Sequence, residues 1–148
     1  MSKIKALVVD DSKIMRSQVK RALDQLLIAD FEFEEAMDGE DALGKFNDDI
    51  QMLFVDWNMP KMTGVELARA IRDKGYADIP IIMVTAEKSM GKVDKALNEG
   101  GANEYITKPF TADKMSKAIS RYIDENGNIK KEEAEEEKKS FFSSILNA

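Results

Sequence analysis

The sequence predicts one α/β domain, built from a parallel sheet with helices packed on both faces. Five apolar, strand-like runs alternate along the chain with five stretches in which apolar residues recur at helical spacing. The 148 residues suit one domain of common size, and an apolar share of 43% is enough for a core. Because each strand is followed by a helix, right-handed crossovers between the strands are expected.

The predicted elements alternate from the N-terminus onward. The strands are residues 4–9, 31–34, 52–55, 79–84 and 104–106. Ser12 is the expected N-cap of the first helix. The apolar positions that mark the five helices are, in order, Met15, Val19, Leu23 and Leu26 or Leu27; Ala42, Leu43 and Phe46 within residues 39–47; Val65, Leu67, Ala68 and Ile71; Met90, Val93 and Leu97; and Met115, Ile119, Tyr122 and Ile123.

Charged side chains end three of the apolar runs. Asp10 and Asp11 follow the first run, Asp56 follows the third, and Lys108 follows the last. Alone, the adjacent pair Asp10-Asp11 is equally typical of a turn or a helix cap. Because ligands bind outside the carboxyl ends of parallel strands, three carboxylates and one ammonium at this edge indicate a magnesium and phosphoryl site.

The composition excludes several classes of function. The chain has no Cys and no His, which rules out disulfides, thiolate zinc sites and His-based catalytic triads. A phosphohistidine, if the chemistry uses one, must belong to a partner. The net charge of -6 argues against nucleic-acid and anionic-membrane binding. No apolar run is long enough for a membrane span, and the N-terminus begins directly in a strand, so a cytoplasmic protein is expected.

The stretch DWNMPKMTG starts at Asp56. Together with the pair Asp10-Asp11 and with Lys108, it forms a set of motifs typical of one protein family. The set resembles the receiver domain of two-component response regulators, and within that family the single-domain chemotaxis type. The resemblance covers residues 3–124. It implies a doubly wound, flavodoxin-like (βα)5 sheet with the strand order 2-1-3-4-5.

The resemblance also implies a role for each residue of this set. Asp10 and Asp11 would hold Mg²⁺, and Asp56 would hold it and accept the phosphoryl group. The backbone carbonyl of Asn58 would be a further metal ligand. Lys108 would neutralise charge on the phosphoryl oxygens, which is most of what phosphoryl transfer requires.

Four positions match family residues that transmit the effect of phosphorylation or flank the path of the water that removes the phosphoryl group. Thr85 corresponds to the switch threonine, and Tyr105 to the switch aromatic that fills the space Thr85 vacates. Asn58 and Glu87 correspond to the pair beside the path of the hydrolytic water in fast-dephosphorylating regulators. Taken singly, Asn58 and Glu87 are equally compatible with solvated loop residues. Thr85 alone also fits an ordinary β-branched residue at a strand end, and Tyr105 a half-buried strand tyrosine.

The implied function is a phosphorylation-activated switch that catalyses only its own phosphorylation and dephosphorylation. A histidine kinase would be the donor, a flagellar motor switch component the output protein and a phosphatase a third partner, with the switch itself a monomer. Two alternatives are an unphosphorylated adaptor and an aspartate-nucleophile phosphatase. The adaptor is disfavoured because every site residue is present. The phosphatase is disfavoured because Asp10 and Asp11 are adjacent, whereas haloacid dehalogenase-type enzymes separate two such residues by one.

The receiver domain is expected to span residues 1–124, because residues 125–128 are typical of a helix stop. Residues 125–148 then form a charged tail. One alternative is a helix over residues 131–147 with an apolar end, and the other is a disordered acidic extension. In a docked form, residues 132–137 would lie against basic residues of the last two helices while the apolar end would bind near Tyr105. The apolar end could also bind a partner or pair two chains. The basic residues are Lys88, Lys92, Lys95, Lys114, Lys117 and Arg121, and the apolar end is Phe141, Phe142, Ile145 and Leu146.

Overall fold

The five strands form one parallel sheet whose order follows the prediction. They are β1 (Ile4–Val9), β2 (Phe31–Ala36), β3 (Met52–Val55), β4 (Ile81–Thr85) and β5 (Glu104–Thr107), arranged β2-β1-β3-β4-β5. The structure is a computed structural model that describes residues 3–130. β4 begins two residues later than predicted, directly after Pro80, which has no N–H to donate to a neighbouring strand.

Each of the five helices begins at a capping side chain. The helices are α1 (Lys13–Gln25), α2 (Gly39–Lys45), α3 (Gly64–Asp73), α4 (Met90–Asn98) and α5 (Ala112–Ser120). Their N-caps accept a hydrogen bond from the backbone N–H three residues on, which confirms Ser12 as the cap of α1. No helix within residues 3–130 is long and apolar enough to cross a membrane. The N-caps are Ser12, Asp38, Thr63, Ser89 and Thr111.

The sheet separates two hydrophobic cores. Strand residues such as Val8 and Phe54 pack with α1 and α5 on one face. Their chain neighbours, such as Leu7 and Val55, pack with α2, α3 and α4 on the other. Strand side chains alternate between the two faces of the sheet, so the strands contribute to both cores. The two cores together hold in place the strands whose carboxyl ends carry the candidate site residues.

The helical spacing located α4 but not its buried face. Met90 and Leu97, which mark the helix in the sequence, are 80% and 37% exposed, whereas Ala96 is fully buried. In the same way Leu26 packs against the core after α1, while Leu27 is 88% exposed. These positions are corrections to the predicted core, because an apolar side chain at the right spacing can still face solvent when a small residue provides the contact.

The chain continues past α5 in an ordered turn. α5 ends at Ser120, before the predicted stop, and Ile123 forms an antiparallel bridge with Ile129. Within this turn Gly127 has φ +79°, and a Cβ added there would lie 3.4 Å from the Ala29 Cα. Residues 121–130 are therefore packed beside the segment that follows α1. The predictions for the tail concern residues 131–148 and lie outside the described residues.

Arg72 of α3 ties the starts of β4 and β5 together. Its guanidinium donates to the Gly101 carbonyl at 2.9 and 3.1 Å and to Asn103 Oδ1 at 2.8 Å. The same Asn103 oxygen accepts the Ile81 N–H at 2.8 Å. This bonding fixes the relative position of two strands whose opposite ends carry candidate site residues.

Candidate functional site

Three carboxylates meet at the carboxyl ends of β1 and β3. Asp10 and Asp11 follow β1, and Asp56 follows β3, its neighbour in the sheet. One carboxylate oxygen from each residue lies within 4.8 Å of the others. The strand order thus brings together the three acids that the sequence placed at strand ends, and we name them the acidic cluster.

Asp10 is almost fully buried and is held from two sides. Its Oδ1 accepts the Ser12 N–H at 2.9 Å, and its backbone carbonyl accepts from Arg16 Nη1 at 2.7 Å. Arg16 is in turn paired with Glu35 of β2 at 3.1 Å. Arg16 and Glu35 could not be identified from the sequence, because nothing in helical or strand spacing distinguishes them from solvated charges.

Lys108 reaches into the acidic cluster from the end of β5. Its Nζ lies 2.8 Å from Asp10 Oδ2 and 3.5 Å from Asp56 Oδ2. Its backbone N–H donates to the Thr85 carbonyl at 2.8 Å, and the Lys108–Pro109 peptide is cis. A compact ammonium in this position is suited to neutralise an anionic oxygen carried by Asp56.

The acidic cluster holds more negative charge than one lysine neutralises. Partial burial, followed by the hydrogen bond and charge of Asp10 and then the charge of Asp56, raises the pKa of Asp11 above its ordinary 3.8. Carboxylates crowded in this way are stabilised by a cation placed among them. Mg²⁺ prefers oxygen ligands and keeps several waters. Asp11 is exposed to solvent, so this donor set fits a partly hydrated Mg²⁺.

The loop after Asp56 is fixed by close backbone packing. The Trp57 N–H donates to Asp56 Oδ1 at 2.7 Å, and the Gly64 N–H donates to the Trp57 carbonyl at 2.9 Å. A Cβ at Gly64 would lie only 2.1 Å from the Asp56 backbone oxygen. A residue without a side chain is therefore required where α3 begins against the acidic cluster.

The structure also brings the predicted hydrolysis pair together. Asn58 Nδ2 donates to Glu87 Oε1 at 2.6 Å. Lys92, which the sequence analysis placed only in a basic surface, lies 3.4 Å from Glu87 Oε1. The Asn58 hydrogen bond, followed by the charge of Lys92, holds the pKa of Glu87 below its ordinary 4.5. Glu87 is therefore an anion at neutral pH.

Thr85 and Tyr105 are connected through the same loop. Thr85 is fully buried, and its Oγ1 accepts the Glu87 N–H at 3.4 Å. The Tyr105 hydroxyl donates to the Glu87 carbonyl at 2.8 Å. Partial burial, then the charges of Glu87 and Asp56, raises the pKa of Tyr105 above its ordinary 10.0. A displacement of Thr85 would consequently reach Tyr105 through Glu87.

The basic residues predicted around Tyr105 do not present a uniformly positive surface. Lys92 lies 5.3 Å over the centre of the Trp57 ring as well as beside Glu87. Arg121 pairs with Glu104 at 3.1 Å. Acidic neighbours therefore offset part of the positive charge on this side of the molecule.

Comparison with known proteins decides the family. The family model of the response regulator receiver domain matches residues 6–120, most of the chain. The chain belongs to the response regulator receiver family. A chemotaxis protein CheY homolog of Campylobacter jejuni is 47% identical over 110 residues, which cover 73% of this chain and 83% of the relative. Chemotaxis protein CheY1 of Helicobacter pylori is 40% identical over 126 residues, covering 83% of this chain and 99% of the relative.

Solved receiver structures have the same fold. The Vibrio cholerae chemotaxis protein CheY4 matches with a TM-score of 0.71 at 34% identity, over 81% of this chain and 98% of that chain. The BeF3-activated DrrB receiver domain matches with a TM-score of 0.71 at 28% identity, over 81% and 97% of the two chains. The flavodoxin-like fold and the resemblance to CheY-type receivers are both confirmed.

Membership of this family confirms the broad class of function. The chain is a CheY-like receiver, and such receivers are signalling proteins of two-component systems rather than classical enzymes. Receiver domains bind Mg²⁺ at an acidic pocket, and Asp10, Asp11 and Asp56 form a cluster that could hold the ion.

Proposed function

We propose that this receiver is a phosphorylation-activated switch of a chemotaxis pathway and that Asp56 accepts its phosphoryl group. The observation that carries the proposal is the position of Asp56 Oδ2, 3.5 Å from Lys108 Nζ within the acidic cluster. Because the chain has no His, a phosphohistidine donor would belong to a separate histidine kinase. The chemotaxis names of the Campylobacter and Helicobacter relatives support the choice of pathway.

In the proposed transfer, an Asp56 carboxylate oxygen attacks the phosphorus of the phosphohistidine. The P–N bond breaks, its electron pair returns to the imidazole nitrogen, and the new P–O bond makes an aspartyl phosphate. Asp10, Asp11, Asp56 and the Asn58 backbone carbonyl would hold Mg²⁺, which supplies positive charge to the phosphoryl oxygens. Lys108 supplies the second positive charge by exchanging its contact with Asp10 for one with a phosphoryl oxygen.

The hydrolysis pair sets the lifetime of the proposed signal. Asn58 and Glu87 are joined by a hydrogen bond beside the loop that follows Asp56. With its lowered pKa, Glu87 keeps a carboxylate that can orient a water. These residues would therefore control how rapidly water removes the phosphoryl group from Asp56.

The switch itself runs from Thr85 to Tyr105. A phosphoryl oxygen on Asp56 is an acceptor for the Thr85 hydroxyl, which in this structure contacts the Glu87 N–H. Moving Thr85 toward the phosphoryl group would displace Glu87. The Glu87 carbonyl, which accepts the hydrogen bond of the Tyr105 hydroxyl, would move with it. This would shift the populations of the conformations of the surface around β5, α4 and α5. The favoured conformation would bind an output protein such as a flagellar motor switch component. A phosphatase would reset the monomeric switch.

Labelling with a small phosphodonor tests the proposal. In the presence of Mg²⁺ and acetyl phosphate, intact mass is expected to show one added phosphoryl group on the full chain and none on Asp56→Asn. Asp73→Asn, on the exposed end of α3, is the matched control and is expected to label like the parent. Equal labelling of the Asp56→Asn variant would contradict the assignment. A parent that takes no label from acetyl phosphate or from a phosphorylated kinase would favour the unphosphorylated adaptor.

A further inference from the structure

A groove of about 540 Å³ runs along α1 on the face of the sheet that also carries α5. Met15, Ala22 and Gln25 form part of one wall, and Pro109 and Phe110 form part of the other. Gln18, Arg21 and Lys108 add polar and charged groups to this lining. The groove therefore offers a partly apolar binding surface beside the acidic cluster.

One end of the groove opens at the acidic cluster. Lys108 lines the groove, and its Nζ contacts Asp10 at 2.8 Å and Asp56 at 3.5 Å. The other end lies near Gln25, about 15 Å further along α1 at 1.5 Å per residue from Met15. A chain segment that fills the groove would thus reach from the end of α1 to the side of Lys108.

The described part of the chain ends beside the far end of this groove. Ile129 is bridged to Ile123 and packs in the same core as α1. The nearby Gly127 lies against Ile28 and Ala29, which follow α1. Residues 131–148 therefore continue from a point next to the Gln25 end of the groove.

The sequence of residues 131–148 matches the groove in two parts. Five glutamates within residues 132–137 come first, and four large apolar residues follow within residues 141–146. On α1, Arg16 and Lys20 are paired with Glu35, whereas Arg21 lines the groove toward its Gln25 end. The glutamates of the segment would therefore reach the basic end of the groove first, and its apolar residues would reach the apolar lining further on.

We propose that residues 132–146 bind in this groove of their own chain. The glutamates lie beside Arg21, and the apolar residues lie between Met15 and Phe110. At 1.5 Å per residue, Phe141 would stand about 17 Å from Lys130, and an extended chain would reach further. The segment is therefore long enough to enter the groove either as a helix or as an extended chain.

This location differs from the one predicted from the sequence. Tyr105 packs with the core on the α2, α3 and α4 face, whereas Phe110 packs with the core on the α1 and α5 face. The apolar groove lies on the latter face. The present proposal thus places the segment on the side of the sheet opposite to the one expected from the sequence.

Amide NMR spectra of the full chain, recorded without Mg²⁺ or phosphodonor, test the binding. The test variant replaces Phe141, Phe142, Ile145 and Leu146 by serine, and the matched control replaces Ser140, Ser143 and Ser144 by alanine. We expect the test variant to shift the amides of Met15, Ala22, Ala86 and Phe110, and the control to leave them in place. These differences are expected to be independent of protein concentration.

Three results would overturn the proposal. Identical groove amides in the parent and the test variant would show that the segment does not bind there. Shifts confined to Tyr105 and α4 would place the segment on the opposite face. Groove shifts that disappear on dilution would show that a second copy of the chain is the occupant. None of these results depends on labelling of Asp56, so the binding and the proposed function fail separately.

Cross-linking provides a second measurement on a chain that has no cysteine of its own. In the double variant Ala22→Cys with Phe142→Cys, a short bis-maleimide reagent is expected to form an intramolecular link. The matched control is Ser17→Cys with Phe142→Cys, because Ser17 is an exposed α1 residue outside the groove. Equal yields from the two pairs would contradict binding in the groove.

Discussion

At the residue scale, the acidic cluster is controlled by a few specific contacts. Lys108 Nζ is closer to Asp10 than to Asp56, at 2.8 against 3.5 Å. The lysine therefore pairs more closely with Asp10, the more buried of the two carboxylates. In the proposed transfer, the same lysine is already within one short movement of a phosphoryl oxygen on Asp56.

Glu87 supports the first prediction at this scale. Glu87→Gln keeps the size of the side chain but removes the charge that faces Asn58 and Lys92. We expect the decay rate of phosphorylated Asp56 to change severalfold, up to about tenfold, which corresponds to ~1.4 kcal/mol in the barrier. Intact mass recorded at intervals after removal of the phosphodonor measures this decay rate. Glu99→Gln, at the C-cap that follows α4, is the control. An unchanged decay in Glu87→Gln would remove Glu87 from the hydrolysis step.

Glu35 supports a prediction about pH. The hydrogen bond from Lys20, followed by the one from Arg16, lowers the pKa of Glu35 below its ordinary 4.5. A carboxylate with a lowered pKa in the folded state stabilises the fold above its ordinary pKa and loses that contribution as the pH falls through the folded value. We expect Glu35→Gln to lower the free energy of unfolding at neutral pH by less than about 1 kcal/mol, because the pair is partly exposed.

Urea unfolding curves at several pH values measure this difference. The gap between the parent and Glu35→Gln is expected to shrink as the pH falls below 4.5, the ordinary pKa of glutamate. Glu32→Gln, on the same strand with an exposed side chain, is the control. A gap that stays constant through the acidic range would show that the ion pairs of Glu35 contribute nothing to stability.

At the scale of elements, the start of α3 packs directly against the backbone of Asp56. Gly64→Ala places a Cβ 2.1 Å from the Asp56 backbone oxygen, so α3 or the loop must move. We expect a loss of stability of about 1–3 kcal/mol or more. Gly44→Ala in α2 is the matched control, because its added Cβ meets no atom within 4 Å. It is expected to stabilise by up to ~1 kcal/mol.

Urea unfolding of the two glycine variants provides the measurement. Equal stability of Gly64→Ala and Gly44→Ala would contradict the close contact between α3 and Asp56. A destabilised Gly64→Ala that still labels normally at Asp56 would show that the contact serves the fold and leaves the reacting carboxylate in place.

The elements could be predicted from the sequence because strands and helices here follow their local signals. Continuous apolar runs gave β1 and β3 with their observed bounds, and Ser12 capped α1 as expected. The buried face of α4 could not be predicted in this way. Its contact with the sheet depends on Ala96, and burial of a small residue depends on tertiary packing that the spacing of larger residues does not reveal.

At the scale of the whole molecule, the residues of the acidic cluster were predictable but their supports were not. Asp10, Asp11, Asp56 and Lys108 all follow strands, and parallel strands bring such positions to one edge. Arg16 lies on a helix with ordinary spacing and contacts the Asp10 carbonyl only because of how α1 packs on β1. The groove along α1 likewise arises from packing, and no sequence pattern marks it.

The sheet also joins the acidic cluster to the surface that would carry the signal. Thr85 ends β4, and the Tyr105 hydroxyl is bonded to the loop that follows it. The acidic cluster and Tyr105 are therefore linked through Glu87. We therefore expect a change of charge on Asp56 to perturb both the acidic cluster and Tyr105, or neither of them.

NMR with beryllofluoride as a phosphoryl mimic tests this central claim most directly. With Mg²⁺ and beryllofluoride together, the amides of Asp56, Thr85, Glu87 and Tyr105 are expected to shift in the full chain. Neither component alone should produce the full set of shifts, and Asp56→Asn should abolish it. Shifts at Asp56 with Tyr105 unchanged, or the same shifts in Asp56→Asn, would contradict a switch that runs from Asp56 to Tyr105.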